Sequence, residues 1–494
     1  MRNYFLTCHR LRAAMAAFIL LGAVGIARAD AMEELLQSLK GKGVIGEADY
    51  RRIAAEREAE KKQAAGTRPD VVAGNFKDAI IFSSADGANT MQLTGRLQAD
   101  YRAYTNKAEP NTSEMRRVQL GVKGKFWDNV KYNVTAHLNN VGANGATSTG
   151  IGGPGALEEA WLEPMVRKQA TLRLGMFYTP FSLEDANSSK YIDFMERPAI
   201  INQSQSTNDS TDTGVMLYGM PVDGVAYWLA HTNGASRGVT NANVAGGRET
   251  SIRGVMDLAR VFEQKGAVYH VGLDYSRGRK PGPVKDAQGK DVLNGGAEIG
   301  KIRTEGRSAS FKPMKLIWSN ADNNYIRTRQ ALELAWASGP LKVQGEVVSE
   351  NYEGATLAGI GYNKMLRGHY ADLMWMITGE KYADSYSNGS FGSIRPYRNF
   401  VSGGEGWGAW EIGLRYSRLD AGDLNSATGL RNDTGYADGM KTTTLGLKWI
   451  MNPNTRMLFN VVHSKYGQPT RGGTALAAPI SSDTAYMMRG QFDF

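Results

Sequence analysis

Basic residues recur on alternate positions of four short segments: Arg96 and Arg102, then Arg117, Lys123 and Lys125, then Lys131, and then Arg173. Alternate residues of an extended strand share one face, so all seven stand on the same side as Gln92, Gln98, Asp100, Gln119, Asn133 and Thr171. A guanidinium presents a planar fork of donors and an ammonium a compact point charge, and both make charge-assisted hydrogen bonds to anions. Any one of them also reads as a solvated charge paired with an acid such as Asp100, Glu158 or Glu159. Seven on one face is harder to explain that way. Arg116 adjoins the set, although strict alternation turns it to the opposite face unless it lies at a strand's edge. A second basic group comes after Tyr275: Arg277, Arg279, Lys280, Lys301, Arg303, Arg307, Lys312 and Lys315. Folded inward it makes a staircase of cations; folded outward it is an exposed loop.

Other chemistry is poorly represented. Gly234-Ala235-Ser236-Arg237-Gly238 matches a hydrolase nucleophile elbow, but the VTNANVAGG stretch after it has the character of a loop where that motif requires a helix. Gly150, Gly152 and Gly155 match a dinucleotide loop, yet Pro154 and the absence of a βαβ pattern leave a glycine-rich surface loop. His137, His231, His270, His369 and His463 are scattered, without the spacing of a helical zinc site. The only cysteine, Cys8, lies in a leader that is expected to be removed, so the mature chain has no disulfide or thiolate chemistry. The sequence thus points to neither an enzyme, a metal site, a cofactor site nor a nucleic-acid partner.

The elements that must position the cations are strands. Opposite Arg96 and Arg102 in Met91–Tyr104 stand Met91, Leu93, Leu97, Ala99, Tyr101 and Ala103. Val118, Leu120, Val122 and Phe126 oppose Arg117, Lys123 and Lys125, and Val130, Tyr132, Val134, Ala136 and Leu138 oppose Lys131. Trp410–Tyr416 and Leu445–Met451 repeat the scheme late in the chain. Asp86-Gly87 between Ala79–Ser83 and Met91–Tyr104 marks an opening hairpin. The last run, Tyr486 to Phe494, alternates and ends on an aromatic residue, as outer-membrane barrel chains commonly do. The runs number about sixteen or seventeen, a porin-sized count that leaves an open lumen. The expected fold is all-β: a transmembrane antiparallel β-barrel of about sixteen strands. A soluble sandwich or propeller is the rival that composition alone leaves standing. Long polar stretches at 139–155, 182–211, 277–325 and 380–407 are expected as external or inward-folded loops, with short turns facing the periplasm.

Residues 1–29 read as a secretory signal, with Arg2, Arg10 and Arg12 before an apolar stretch and Ala27-Arg28-Ala29 before Asp30. The apolar run is too short for a membrane anchor. Removing its four arginines from 58 basic residues leaves 54 against 49 acids, an excess that decides little by itself. Residues 30–66 form a helical or coiled-coil periplasmic segment, either a docking element or a solvated spacer; 67–494 form the barrel. A barrel can also act as a sheath for a periplasmic partner protein, with the 31–65 helix as the contact.

GRLQADYR at 95–102, the Arg-Arg pair and GVKGKF within 116–126, RLGMFYTPFSLEDANSSKYIDFMER at 173–197, ITGEKY at 377–382 and GAWEIGLRYSRLD at 408–420 resemble the phosphate-selective porins of the O and P type, in the same order. The resemblance implies a sixteen-stranded homotrimeric barrel in the bacterial outer membrane, surrounded by outer-membrane lipid and lipopolysaccharide. It passes small inorganic anions, phosphate or polyphosphate among them, through an arginine-lined lumen. By position Arg96, Arg116 and Arg117 match basic lumen residues of the family, and Tyr178 matches an aromatic at the constriction. Lys301, Arg303 and Arg307 fall, on a looser alignment, where the inward-loop ladder stands. Where the phosphate-specific members carry the constriction lysine, this chain has Asp185. An anion there reverses the local field, and Lys190 is the cation in the same stretch that offsets it. The resemblance carries fold and pore; Asp185 separates phosphate selectivity from them, leaving a general or differently selective porin as the alternative.

Overall fold

Alternation decides the architecture. In a computed structural model of the chain, the first long strand, β1 (Thr90–Tyr104), exposes Leu97 and Tyr101 at 42% and 44% while Gln98 and Arg102 are 0% and 1% exposed. Apolar side chains face outward and charged ones inward, the inverse of a soluble protein. The soluble rival is thereby removed.

The structure describes residues 72–73, 80–106, 109–138, 157–205, 210–234, 247–281, 298–317, 324–355, 361–425 and 435–494, with Lys40, Gly46, Glu47, Tyr50 and Ile53. The signal at 1–29, nearly all of the 30–66 segment, Ser236 and the Gly150–Gly155 loop lie outside them. Sixteen strands pair antiparallel in chain order. After β1 come β2 (Thr112–Phe126), β3 (Val130–His137), β4 (Leu157–Met165), β5 (Thr171–Tyr178), β6 (Thr211–Val222), β7 (Val225–Thr232) and β8 (Arg248–Asp257). The second half comprises β9 (Ala267–Pro281), β10 (Asn324–Ser338), β11 (Leu341–Ala355), β12 (Gly361–Met376), β13 (Ala409–Asp420), β14 (Gly439–Asn452), β15 (Thr455–Thr470) and β16 (Ile480–Asp493). β16 pairs back onto β1, from Ala485↔Tyr104 to Asp493↔Arg96, and closes the barrel. Closure removes every sheet edge, which is what lets strands stand in lipid.

The expected opening hairpin is present, since Ile80–Ser83 pairs with Thr90–Leu93. At the same end Phe494 exchanges both backbone hydrogen bonds with Gly95, at 2.9 and 3.2 Å. A Cβ on Gly95 would meet the Phe494 ring at 2.3 Å, so a side chain there would oblige that ring to move. Short turns at 127–129, 223–224, 339–340 and 453–454 share this rim, which faces the periplasm by the usual barrel rule.

Two expectations about loops change. The segment 377–408 leaves β12 on the short-turn rim, not the long-loop rim, because Met376 pairs with Glu411 at the end where β10 turns into β11. It nevertheless folds inward: Tyr382, Tyr386, Phe391 and Ile394 are buried with Leu183, Phe194 and Met374. Arg277 and Arg279 belong to β9 and face outward, so the second basic set does not form one inward staircase. Strand β9 simply runs further than its turn signals imply.

Candidate functional site

The lumen is crossed by the segment between β5 and β6, described at 179–205 and 210, which contains the short helices α1 (Leu183–Ala186) and α2 (Ala199–Gln205). Ser182 adopts φ 77 and its hydroxyl caps α1 by accepting from the Asp185 amide at 3.2 Å. Wall carboxylates complete the capping. Glu346 of β11 accepts from Leu183 N, Glu184 N and Ser182 Oγ at 3.2, 2.8 and 3.1 Å, and Asp274 of β9 accepts from Ser182 N at 2.9 Å. Further along, Arg415 of β13 pairs with Glu184 (3.0 Å) and donates to the Glu196 carbonyl oxygen (2.8 Å). Lys342 holds Asp193 at 2.8 Å, and Arg489 donates to the Met195 carbonyl oxygen at 2.6 Å. The backbone groups that an inward loop cannot give to water go to charged side chains of the wall.

Some of the predicted lumen cations belong to such pairs. Arg102 is enclosed by Asp100, Glu114 and Glu196. Arg173 pairs with Glu163 at 2.6 Å and lies over the Trp161 ring. Lys125 sits at the turn and pairs with Asp128, off the lumen path. Lys123 and Lys131 stand on the lumen side of β2 and β3, exposed.

Arg96 and Arg117 differ. Arg117 Nη1 donates to Gln98 Oε1 at 2.8 Å and Arg96 Nη1 to Ser189 Oγ; among the described residues neither forms an ion pair. The Arg96 Nε is buried without a hydrogen-bond partner. The register Gln98↔Arg117 and Arg96↔Gln119 makes the two arginines diagonal neighbours on one face.

Arg116 also faces inward, against strict alternation. The pairing slips between Gln98 and Ala99, which face Arg117 and Met115, so Arg116 is the extra residue of a β-bulge. Its guanidinium meets Glu196 at 3.1 Å. Glu196 also takes Arg489 (3.1 Å), Arg102 (3.2 Å) and Arg307 (3.9 Å). Burial opposes charge on Glu196, but Arg116, Arg307, Arg489 and Arg102 hold its carboxyl well below the usual range. Arg303 and Arg307 of the 298–317 segment reach the same neighbourhood; burial, and then the nearby Arg116, lower both guanidinium groups from their ordinary value. The Lys301 side chain lies outside what the structure describes.

At the expected constriction, Tyr178 donates to Glu158 and is turned into the wall. Asp185 is buried; Arg197 Nε lies 3.4 Å from its Oδ1 and Ser210 Oγ donates at 2.8 Å. Burial pushes this carboxyl up, against the pull of Arg197 and Ser210. Lys190 donates to the Gly95 carbonyl oxygen at 3.3 Å and lies 4.0 Å from Asp493. Its burial pushes the ammonium down to about 8.

Glu196, Arg197, Glu346, Arg415 and Arg489 carry the inner architecture, and no sequence pattern singles them out. Only Arg415 and Arg489 leave a trace, on the polar sides of the Trp410–Tyr416 run and of the last strand.

Residues 91–494 match the model of the family described as phosphate-selective porin O and P. The chain belongs to that family. Porin O of Pseudomonas aeruginosa is 24% identical over 402 residues, covering 79% of this chain and 86% of that protein. Among solved structures, an anion-selective porin from Comamonas acidovorans superposes with a TM-score of 0.51 at 11% identity, covering 82% of this chain and all of the other. Family membership and the closed barrel make the protein a passive porin of the bacterial outer membrane. Channels, not enzymes, are what this family and fold comprise.

Proposed function

We propose that this porin conducts small inorganic anions, phosphate among them, along the wall formed by β1 and β2. The observation that carries the reading is the contrast between Arg96 and Arg117, which have no carboxylate partner among the described residues, and the arginines around them, which do. An anion descending from the loop rim meets Arg303 and Arg307, then Arg116, then Arg117 and Arg96, and leaves past Lys190, Lys123 and Lys131. Water lost on entry is replaced by hydrogen bonds from guanidinium forks at Arg117 and Arg96. Several weak sites in file permit exit where one deep site would trap. Asp185 does not invert this field in our reading, because Arg197 neutralises it inside the loop. The protein acts as a homotrimer, after removal of residues 1–29, with 30–66 as a periplasmic helical segment.

The test is planar-bilayer recording in a KCl gradient. The expected reversal potential favours chloride, and millimolar phosphate lowers the chloride current. Arg96→Gln with Arg117→Gln abolishes both effects; a cation-selective wild-type channel or an unaltered double variant refutes the pathway.

A further inference from the structure

The seam that closes the barrel stacks three rows of lumen side chains. Arg489 of β16 stands opposite Asp100 of β1, then Gln491 opposite Gln98, then Asp493 opposite Arg96. Strand β2 extends the middle row, with Arg117 opposite Gln98 on its other side. The upper row is neutralised within itself, since Arg489 Nε and Nη2 both donate to Asp100 at 2.7 Å. In the lower row Asp493 is taken by Arg456 at 3.2 Å, with Lys190 at 4.0 Å. Gln491, Gln98 and Arg117 make a middle row with one cation and no carboxylate. On the same face of β1, the acid at 100 cancels an arginine and the amide at 98 does not.

The buried amide of Gln98 can stand in only one sense. Its Nε2 donates to the Ser189 carbonyl oxygen at 3.2 Å and to Gln491 Oε1 at 2.7 Å. Gln491 is fixed in turn, because its own Nε2 donates to the Lys190 carbonyl oxygen at 2.9 Å and to Asp493 Oδ1 at 2.7 Å, and neither of those can donate back. Only Gln98 Oε1 is left for Arg117, whose Nη1 donates to it at 2.8 Å. The hydrogen bonds thus run from Arg117 through two neutral amides before they reach a carboxylate.

We infer that Gln98 determines anion specificity as a positioning residue, holding the Arg117 fork in one orientation through an acceptor that carries no charge. The inference rests on the reading of Arg117 as part of the anion path. A carboxylate at 98 would grip the guanidinium but cancel its charge, and an apolar side chain would leave the charge but free the fork. An amide keeps both charge and orientation. Gln491 stands behind it, turning the Gln98 oxygen towards Arg117, and Ser189 ties the same amide to the loop that narrows the lumen.

The experiment places the full-length porin in planar bilayers at pH 7 under a KCl gradient, with inorganic phosphate as the blocking anion. Gln98→Glu is expected to lower the chloride-to-potassium permeability ratio about as far as Arg117→Gln does, roughly fivefold. Gln98→Leu should weaken phosphate block severalfold and lower that ratio much less. In the Arg117→Gln background Gln98→Leu should weaken the block no further, because a residue that acts through Arg117 then has nothing to position. Unchanged permeability in Gln98→Glu, wild-type block in Gln98→Leu, or an equal loss of block with and without Arg117 overturns the assignment and leaves the pathway standing. An Arg117→Gln channel indistinguishable from the wild type overturns both. If Gln98→Leu does not fold, Gln491→Leu, which takes away one of the two acceptors that orient the Gln98 amide, replaces it in the same cycle.

Discussion

Arg116 and Arg117 are consecutive residues of one strand, yet both side chains point into the lumen, because Arg116 is the unpaired residue of a β-bulge opposite Gln98 and Ala99. They then part company. Arg116 reaches up to Glu196, and Arg117 reaches across to the neutral Gln98. One slip of register thus gives a structural cation and an unneutralised one at the same height.

Arg117→Gln is therefore expected to cut the chloride-to-potassium permeability ratio by roughly fivefold, the loss of about 1 kcal/mol of attraction in a partly screened pore. Arg116→Gln should change it less, since Glu196 keeps three other arginines. Reversal potentials of the two variants under one salt gradient make the comparison.

Arg102→Met tests the opposite role. Removing one partner of a buried charge cluster costs up to about 3–5 kcal/mol, because Asp100 and Glu196 stay enclosed with one cation fewer, Arg489 alone remaining on Asp100. The folded, heat-modifiable band should convert at a markedly lower temperature, with anion preference retained in the channels that remain.

Asp185→Lys should not create a phosphate site. It places an ammonium beside Arg197 in a buried position, two cations where one ion pair stood. The expected phenotype is noisy, enlarged conductance from a loosened 179–210 segment, with no gain in phosphate block. Stronger phosphate block in single-channel records would overturn this account.

Lys190 is expected to give the pore a pH dependence. Its ammonium is held down to about 8 by burial, so it is charged below that pH and neutral above it. Chloride preference should fall as pH rises from about 7 to 9, and Lys190→Met should remove that step while lowering the preference at neutral pH. Chloride is the suitable probe, because its own charge does not change over this range.

Gly175→Val probes the strand that leads into the lumen. Gly175 has φ 124, and a Cβ there would lie 2.3 Å from the Ala160 carbonyl oxygen of β4. Backbone, not a movable side chain, is in the way. The folded, heat-modifiable band should be lost on gels of refolded protein.

The barrel is legible in the sequence because period-two alternation is local: Leu97 against Gln98 already states which face meets lipid. The last run, Tyr486 to Phe494, is legible by the same alternation, and its pairing with β1 is what the structure adds. The inner architecture is not. Whether Arg102 is a rung or a strut depends on Glu196, which lies 94 residues away and reaches it only because residues 179–210 fold inward. Alternation also fails where a strand carries an extra residue, which is why it assigns Arg116 to the wrong face. The meaning of Asp185 turns on Arg197, twelve residues on, in a loop whose path no period describes. Arg277 and Arg279 have the look of loop residues because strand β9 runs past Gly278 and on to Pro281, residues that usually end one sooner.

The loop that narrows the pore is held from both sides in the chain: Arg96, Arg102 and Arg116 precede it, and a larger set of anchors follows it. Glu346, Lys342, Arg415, Asn460 and Arg489 all lie on strands β11 to β16. Those anchors come together only in the closed barrel, so the loop's full set of contacts requires the late strands to be in place. A fully seated loop is in this sense a signature of closure.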